Sequence, residues 1–214
     1  MTKKLLFSAI TLLPLIFSAQ QKFSIIPSVG YAWRTAKTSP ELSSQEKEYV
    51  KGLKNGVNFD ISAYYHLKNE IGIGLKYSNF NASSDGMLSV IGLDGETYSG
   101  SVSTKDNISF FGPAFIYSNY NLETRHKLYY DLALGVITYS SKTGGAKITG
   151  SNLGLDANIA YQYAVSSQIF VGPKLGYTVG TLTKIKMNGQ TIDLGENKEG
   201  LGRVSLSFAA TFRF

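Results

Sequence analysis

The sequence predicts an all-β fold: a closed antiparallel up-and-down transmembrane β-barrel of eight strands. Three observations lead there. Apolar and polar residues alternate with a period of two along eight separate runs. The polar side of those runs is rich in glycine, serine, asparagine and charges of both signs. Aromatic residues gather near the two ends of the apolar side, as at the two lipid–water interfaces. Composition agrees, since only 17% of the 214 residues are charged, below the roughly 25% usual for a soluble domain. No apolar run is long enough for a helical span. With no cysteine, disulfides, thiolate metal sites and thiol nucleophiles are excluded.

The first segment reads as a targeting device. Lys3 and Lys4 precede an apolar stretch from Leu5 to Phe17, followed by Ser18-Ala19-Gln20-Gln21, the order of a secretory signal peptide. As a helix this stretch would rise only about 20 Å, too short to anchor in a core of about 30 Å. Residues 1–20 are therefore expected to be cleaved, leaving 21–214 as one barrel domain. Without the two lysines the charge is only mildly basic, which together with export argues against nucleic acid.

The runs follow in order. Phe23, Ile25, Pro27, Val29, Tyr31 and Trp33 alternate with residues up to Arg34. Val57, Phe59, Ile61, Ala63, Tyr65 and Leu67 face away from Asn58, Asp60, Ser62, Tyr64 and His66. Ile71, Ile73, Leu75 and Tyr77 oppose Gly72, Gly74, Lys76 and Ser78. The fourth run, Ile108 to Ser118, is apolar on both sides. A shared Pro-x-x-x-Tyr spacing (Pro27 to Tyr31, Pro113 to Tyr117, Pro173 to Tyr177) puts Phe111, Pro113, Phe115 and Tyr117 on the apolar side. Leu128, Tyr130, Leu132, Leu134 and Val136 alternate with Tyr129, Asp131, Ala133 and Gly135. Leu153 to Tyr163 opposes Asn152, Gly154, Asp156, Asn158 and Gln162. Ile169, Val171, Leu175, Tyr177 and Val179 oppose Gly172, Lys174, Gly176 and Thr178. Val204, Leu206, Phe208, Ala210, Phe212 and Phe214 oppose Arg203, Ser205, Ser207, Thr211 and Arg213. Proline cannot donate to a ladder, so the three prolines call for local bulges.

Connections alternate between short (68–70, 119–126, 165–168) and long (36–55, 79–105, 140–150, 181–200); the long ones read as loops, with some of their residues, such as Leu88 to Ile91, as candidates to extend strands above the membrane. The apolar side points outward. Small residues and opposite charges suit a crowded lumen. Tyr31, Trp33 and Tyr77 form one aromatic girdle and Tyr65, Tyr130, Tyr163 and Phe212 the other, with Tyr177 among the girdle residues. Lipid offers the backbone no hydrogen bonds, so the sheet must close.

The signal peptide, eight alternating runs, short/long loop rhythm and C-terminal aromatic resemble the small outer-membrane β-barrels, the OmpA membrane domain, OmpX and OmpW type. The resemblance implies integral insertion in the bacterial outer membrane, periplasmic termini and short turns, and long loops outside the cell. It implies outer-membrane lipid and lipopolysaccharide as surroundings. It further implies that Phe208, Phe212 and Phe214 act as a signal to the barrel-assembly machinery during insertion. No periplasmic domain is expected after the last strand, no cofactor is implied, and no surface ligand is named.

An eight-stranded barrel is just wide enough for side chains to fill. Arg34, Asp60, Lys76, Asp131, Asp156, Lys174 and Arg203 are expected to form a lumen charge network, with Asp60–Lys76 and Asp156–Lys174 paired within their own hairpins as a plug. Catalytic and metal sites are not expected. His66 and His126 both map to the short-turn end, away from the outer leaflet where lipid-modifying barrel enzymes work. Gly92-Leu93-Asp94-Gly95-Glu96 lacks the spaced ligands of a calcium loop, and Gly72-x-Gly74 has no following helix. Residues 41–54 carry mixed charge and have two readings, a solvated loop by default and a short amphipathic helix as the alternative, with Lys47, Lys51 and Lys54 as candidate contacts for lipopolysaccharide phosphates. The expected role is non-enzymatic: structure and surface interaction through the loops. A passive carrier for small or hydrophobic solutes is the alternative, and a lipid-modifying enzyme the third.

Overall fold

The computed structural model describes residues 21–36, 42–68, 70–91, 95–187, 189–196 and 198–214. The expected signal peptide and the residues Gly92, Leu93 and Asp94 lie outside the described residues. The strands are β1 (Phe23–Arg34), β2 (Asn55–His66), β3 (Ile71–Ile91), β4 (Thr97–Ser118), β5 (His126–Thr143), β6 (Ala146–Ala164), β7 (Ile169–Leu182), β8 (Lys184–Met187), β9 (Gln190–Asp193), β10 (Glu199–Gly200) and β11 (Arg203–Arg213). One helix, α1 (Ser44–Lys54), lies between β1 and β2.

Strands β1 to β7 pair antiparallel in sequence order. Strand β11 then pairs with both β7 and β1, closing an eight-stranded barrel. Closure leaves no open edge in the wall, as a lipid environment demands. Its ends are tied by Phe23 and Phe214, which exchange backbone bonds of 3.0 and 2.9 Å. All eight expected runs lie in the barrel wall. Phe111, Pro113, Phe115 and Tyr117 face outward, and Phe110, Gly112, Ala114 and Ile116 are buried within.

The prolines enter the wall without the expected bulges. The β1–β11 ladder breaks at Ile26–Pro27, β4–β5 at Gly112–Pro113, and β6–β7 opposite Gly172–Pro173, and in each case pairing resumes in the same register. Each proline pairs normally on its other side, with Ile61, Leu75 and Phe208 respectively. A missing N–H on one side removes a local pairing and leaves the remaining ladder to hold the register. Gly74 stands where the wall is tightest: a Cβ there would collide with the Ala63 carbonyl of β2.

Three of the expected long loops contain regular structure. Strands β3 and β4, of 21 and 22 residues, continue as one ladder from Ile71–Tyr117 to Ile91–Thr97. That is about twice the 9–11 residues a tilted strand needs to cross the membrane. Strands β5 and β6 run on to a two-residue turn, Gly144-Gly145, with Gly144 at φ 55. Gly-Gly is one of the few dipeptides that such a turn accepts. Strands β8 and β9 form a hairpin that joins β6 above the barrel.

The segment 41–54 takes the helical alternative rather than the default loop. Ser43 caps α1, accepting from the Glu46 backbone while the Glu46 carboxylate accepts from the Ser43 N–H at 2.8 Å. This reciprocal box satisfies two N–H groups that the first turn leaves unpaired, and it holds the Glu46 carboxyl below its ordinary range. The helix rests on the inward-facing side of the β3–β4 extension. Tyr49, buried, bonds Thr104 through its hydroxyl, and Gly52 and Gly86 give the room that Ser84 and Tyr49 occupy.

Candidate functional site

The lumen is packed in layers. At mid-height six charged groups, none more than 5% exposed, form two clusters. Lys76 Nζ lies 2.7 Å from Asp131 and 2.8 Å from Asp156. Lys174 Nζ lies 2.5 Å from Asp60, whose Oδ2 also accepts from Ser28 at 2.9 Å and Asn58 at 3.1 Å. Asn158 donates to Asp131 at 2.8 Å and to Asp156 at 2.6 Å, and Thr178 to Asp156 at 2.6 Å. Arg203 binds Asn58 at 3.3 Å and Ser78 at 2.6 Å. Lys76 and Lys174 meet the three carboxylates directly, and Arg203 reaches Asp60 through Asn58, so three cations balance three carboxylates in the core.

The partners differ from the expected hairpin pairs. Asp60 sits opposite Ser78, and Lys76 opposite Ser62. Asp156 sits opposite Thr178, and Lys174 opposite Ala160. Each expected pair is thus offset along its strands. In so narrow a barrel a side chain reaches across the lumen as easily as to the adjacent strand, and charge matching is made across the axis. Arg34 belongs to a separate cluster at the α1 end: it meets Asp106 at 3.3 Å and Glu199 at 2.5 Å.

Alternation puts Tyr64 and Tyr129 in the lumen beside its polar residues, and the Pro-x-x-x-Tyr spacing puts Phe110 and Ile116 there, whereas Phe80, Ile137, Leu182 and Leu201 fall outside the runs so oriented. Above the charges Phe80, Ile108, Phe110, Ile137, Leu182 and Leu201 are fully buried. Below them lie Tyr64, Ile116, Tyr129 and Phe170. The last member of the lower layer comes from a turn. Tyr120, 2% exposed, folds inward with its ring 5.2 Å from Phe170, 5.9 Å from His66 and 6.1 Å from Tyr129. A large aromatic in a short polar turn was the available signal.

The outer wall is graded. Its girdle residues are all exposed: Tyr31, Trp33, Tyr77 and Tyr177 toward α1, and Tyr65, Tyr130, Tyr163 and Phe212 toward the short turns. On β3 to β6 the register resolves the upper boundary row by row. Tyr77, Phe111, Val136 and Leu153 form the last apolar row. Asn79, Ser109, Thr138 and Ser151 come next, then Asn81, Asn107, Ser140 and Thr149. Ser83, Lys105, Lys142 and Lys147 follow. Three lysines thus stand directly side by side on adjacent strands. The α1 lysines are elsewhere, over the barrel mouth, with Lys47 and Lys51 exposed and Lys54 bonded to the Ala36 carbonyl.

Neither histidine has catalytic company. His66 Nε2 bonds Ser24 at 2.9 Å inside the barrel, and its Nδ1 has no acid to orient it. His126 Nδ1 bonds the Tyr161 hydroxyl at 2.6 Å on the outer wall. Among the described residues no group of three or more His, Asp or Glu could hold a metal.

Comparison with solved structures matches this geometry. The Neisserial surface protein NspA aligns over 90% of this chain and 97% of its own, with TM-score 0.55 at 16% identity. OprG from Pseudomonas aeruginosa aligns over 92% of this chain and 99% of its own, with TM-score 0.53 at 11% identity. The fold is that of the small bacterial outer-membrane barrels. A weaker likeness, TM-score 0.44 at 10% identity, is to the outer-membrane protease OmpT from Escherichia coli, covering 76% of this chain and 65% of that one. No family model matches the chain, and no curated protein matches it in sequence.

Proposed function

We propose that this protein is a non-enzymatic integral outer-membrane barrel, closed to solutes, that serves membrane structure and surface interaction through its outer extensions. The observation that carries this reading is the layered lumen: a neutral charge cluster between an apolar layer and an aromatic one. A passive carrier would need a continuous void through those layers. Short turns would face the periplasm and the β3–β4 extension the outside, and Phe208, Phe212 and Phe214 would be read by the assembly machinery. Single-channel recording in planar bilayers tests closure. The wild type should show no steady conductance, whereas Asp156→Ala together with Tyr120→Ala, which thins two layers at once, should give frequent openings. A large, steady wild-type conductance overturns the proposal.

The surface partner this reading favours is lipopolysaccharide, through its phosphates. Like charges directly opposite each other on adjacent strands are destabilising, yet Lys105 pairs with Lys142 and Lys142 with Lys147. Among the described residues none of the three is in an ion pair. The apolar, hydroxyl-and-amide and cationic rows follow the order in which acyl chains give way to headgroup oxygens and phosphates. The barrel should unfold at higher temperature in bilayers containing lipopolysaccharide than in zwitterionic phospholipid. Replacing all three lysines by Gln should remove most of that increment, while Lys47→Gln with Lys51→Gln should leave it. Equal increments in both variants would discard the wall lysines as the site.

A further inference from the structure

The mid-height charges cancel, and Arg34 faces two carboxylates. The short-turn end is not balanced in this way. Arg213 and Lys127 are 2% and 5% exposed, and every hydrogen bond they make goes to a neutral oxygen. Lys127 Nζ donates to the Tyr120 carbonyl at 3.0 Å and the Leu122 carbonyl at 2.6 Å. Arg213 donates to the same Tyr120 carbonyl at 3.2 Å, and to the Gln21 carbonyl and the Asn121 side-chain oxygen at 2.8 Å each. Its Nε makes no bond. Two buried cations therefore converge on one carbonyl oxygen. Lys127 also lies over the Phe170 ring at 5.3 Å and Arg213 over the Tyr120 ring at 5.6 Å, but neither ring supplies the counter-charge with which a buried cation is normally paired, so an anion would complete the arrangement.

There is room for one. Both cations line an open cleft of about 680 Å³ between the 119–125 turn and the 165–168 turn, together with Gln21, Tyr120, Asn121 and Arg125. That volume lies within the roughly 300–1,000 Å³ of small-molecule sites. Glu123 also lines the cleft, but it pairs with neither cation. We infer that this cleft binds a small organic anion, a carboxylate or a phosphate, entering from the short-turn side, with Arg213 and Lys127 as its counter-charges. The site is separate from the lysine row at the opposite end and does not depend on the lumen being closed.

Calorimetric titration of the full barrel in detergent tests this, using citrate and inorganic phosphate as probes at an ionic strength held constant with chloride. Saturable binding of either supports the site. Citrate alone would assign a carboxylate ligand and phosphate alone a phosphate. Arg213→Gln and Lys127→Gln should each weaken binding roughly tenfold or more, the loss of one charge-assisted bond. Heat-modified gel mobility verifies that each variant is folded. A measurement on the wild type alone covers variants that fail to fold, because a bound anion raises the unfolding temperature with its concentration. No saturation beyond chloride, no anion-linked rise in unfolding temperature, or wild-type affinity in both folded variants overturns the inference.

Discussion

Replacing Lys76 with Met should destabilise the barrel by about 3–5 kcal/mol, the usual cost of stranding a buried charge. Lys76 is the shared counter-ion of Asp131 and Asp156, and Asn158 draws both carboxylates to a single amide. Without the ammonium, two carboxylates would remain together behind a wall that admits no hydration from lipid. Trp33, the only tryptophan, is exposed in the upper girdle, so its emission follows unfolding by urea in lipid vesicles. Adding Asp131→Asn and Asp156→Asn to Lys76→Met should recover most of the loss, because a neutral cluster of similar size is often as stable as the ionic one. A loss below about 1 kcal/mol for Lys76→Met alone would mean that water reaches the cluster.

The partner exchange explains what was legible in the sequence and what was not. A period of two states which side of each strand a residue occupies, and Asp60, Lys76, Asp131, Asp156, Lys174 and Arg203, all on the polar side, are buried. It carries no information about the axis-crossing direction, which depends on barrel radius and on the stagger between neighbouring strands. Pairing within hairpins was the nearest guess, and stagger defeated it. In the segment 41–54 the helical alternative holds over the default loop for a different reason. Its mixed charges resemble a solvated loop, and the signal that outweighs them is local: Ser43 followed three residues later by Glu46, the capping-box spacing. Beyond residue 79 the sequence marks only Leu88 to Ile91 as a candidate strand extension, because Asn, Ser and Gly crowd the rest. Those residues are poor strand formers in isolation, but an established hairpin ladder extends them without a new nucleus.

Candidate functions depend on the same distinction. The two charge sets that lie outside the balanced core, Lys105–Lys142–Lys147 and Arg213–Lys127, are visible only through register and packing. Lys105, Lys142 and Lys147 are far apart in sequence and become neighbours because β4, β5 and β6 are paired in one register. Arg213 and Lys127 come from strands on different sides of the barrel and meet because the turn carrying Tyr120 folds inward between them. Neither set could be identified by composition, which reports only a modest excess of positive charge.

Leu132→Arg should cost about 2–4 kcal/mol, the penalty for a cation at mid-bilayer on a barrel's lipid face, and Met87→Arg should cost almost nothing. The two side chains are 53% and 56% exposed, so accessibility does not distinguish them. Position does. Leu132 lies midway along the apolar face of β5, between Tyr130 of the lower girdle and Thr138 of the first hydroxyl row, whereas Met87 lies in the β3 extension beyond Ser83. If the exterior met water, both substitutions would replace an exposed apolar group with a soluble one at similarly small cost. Urea unfolding in vesicles measures the difference, and equal effects at the two positions would remove lipid from the account of the outer wall.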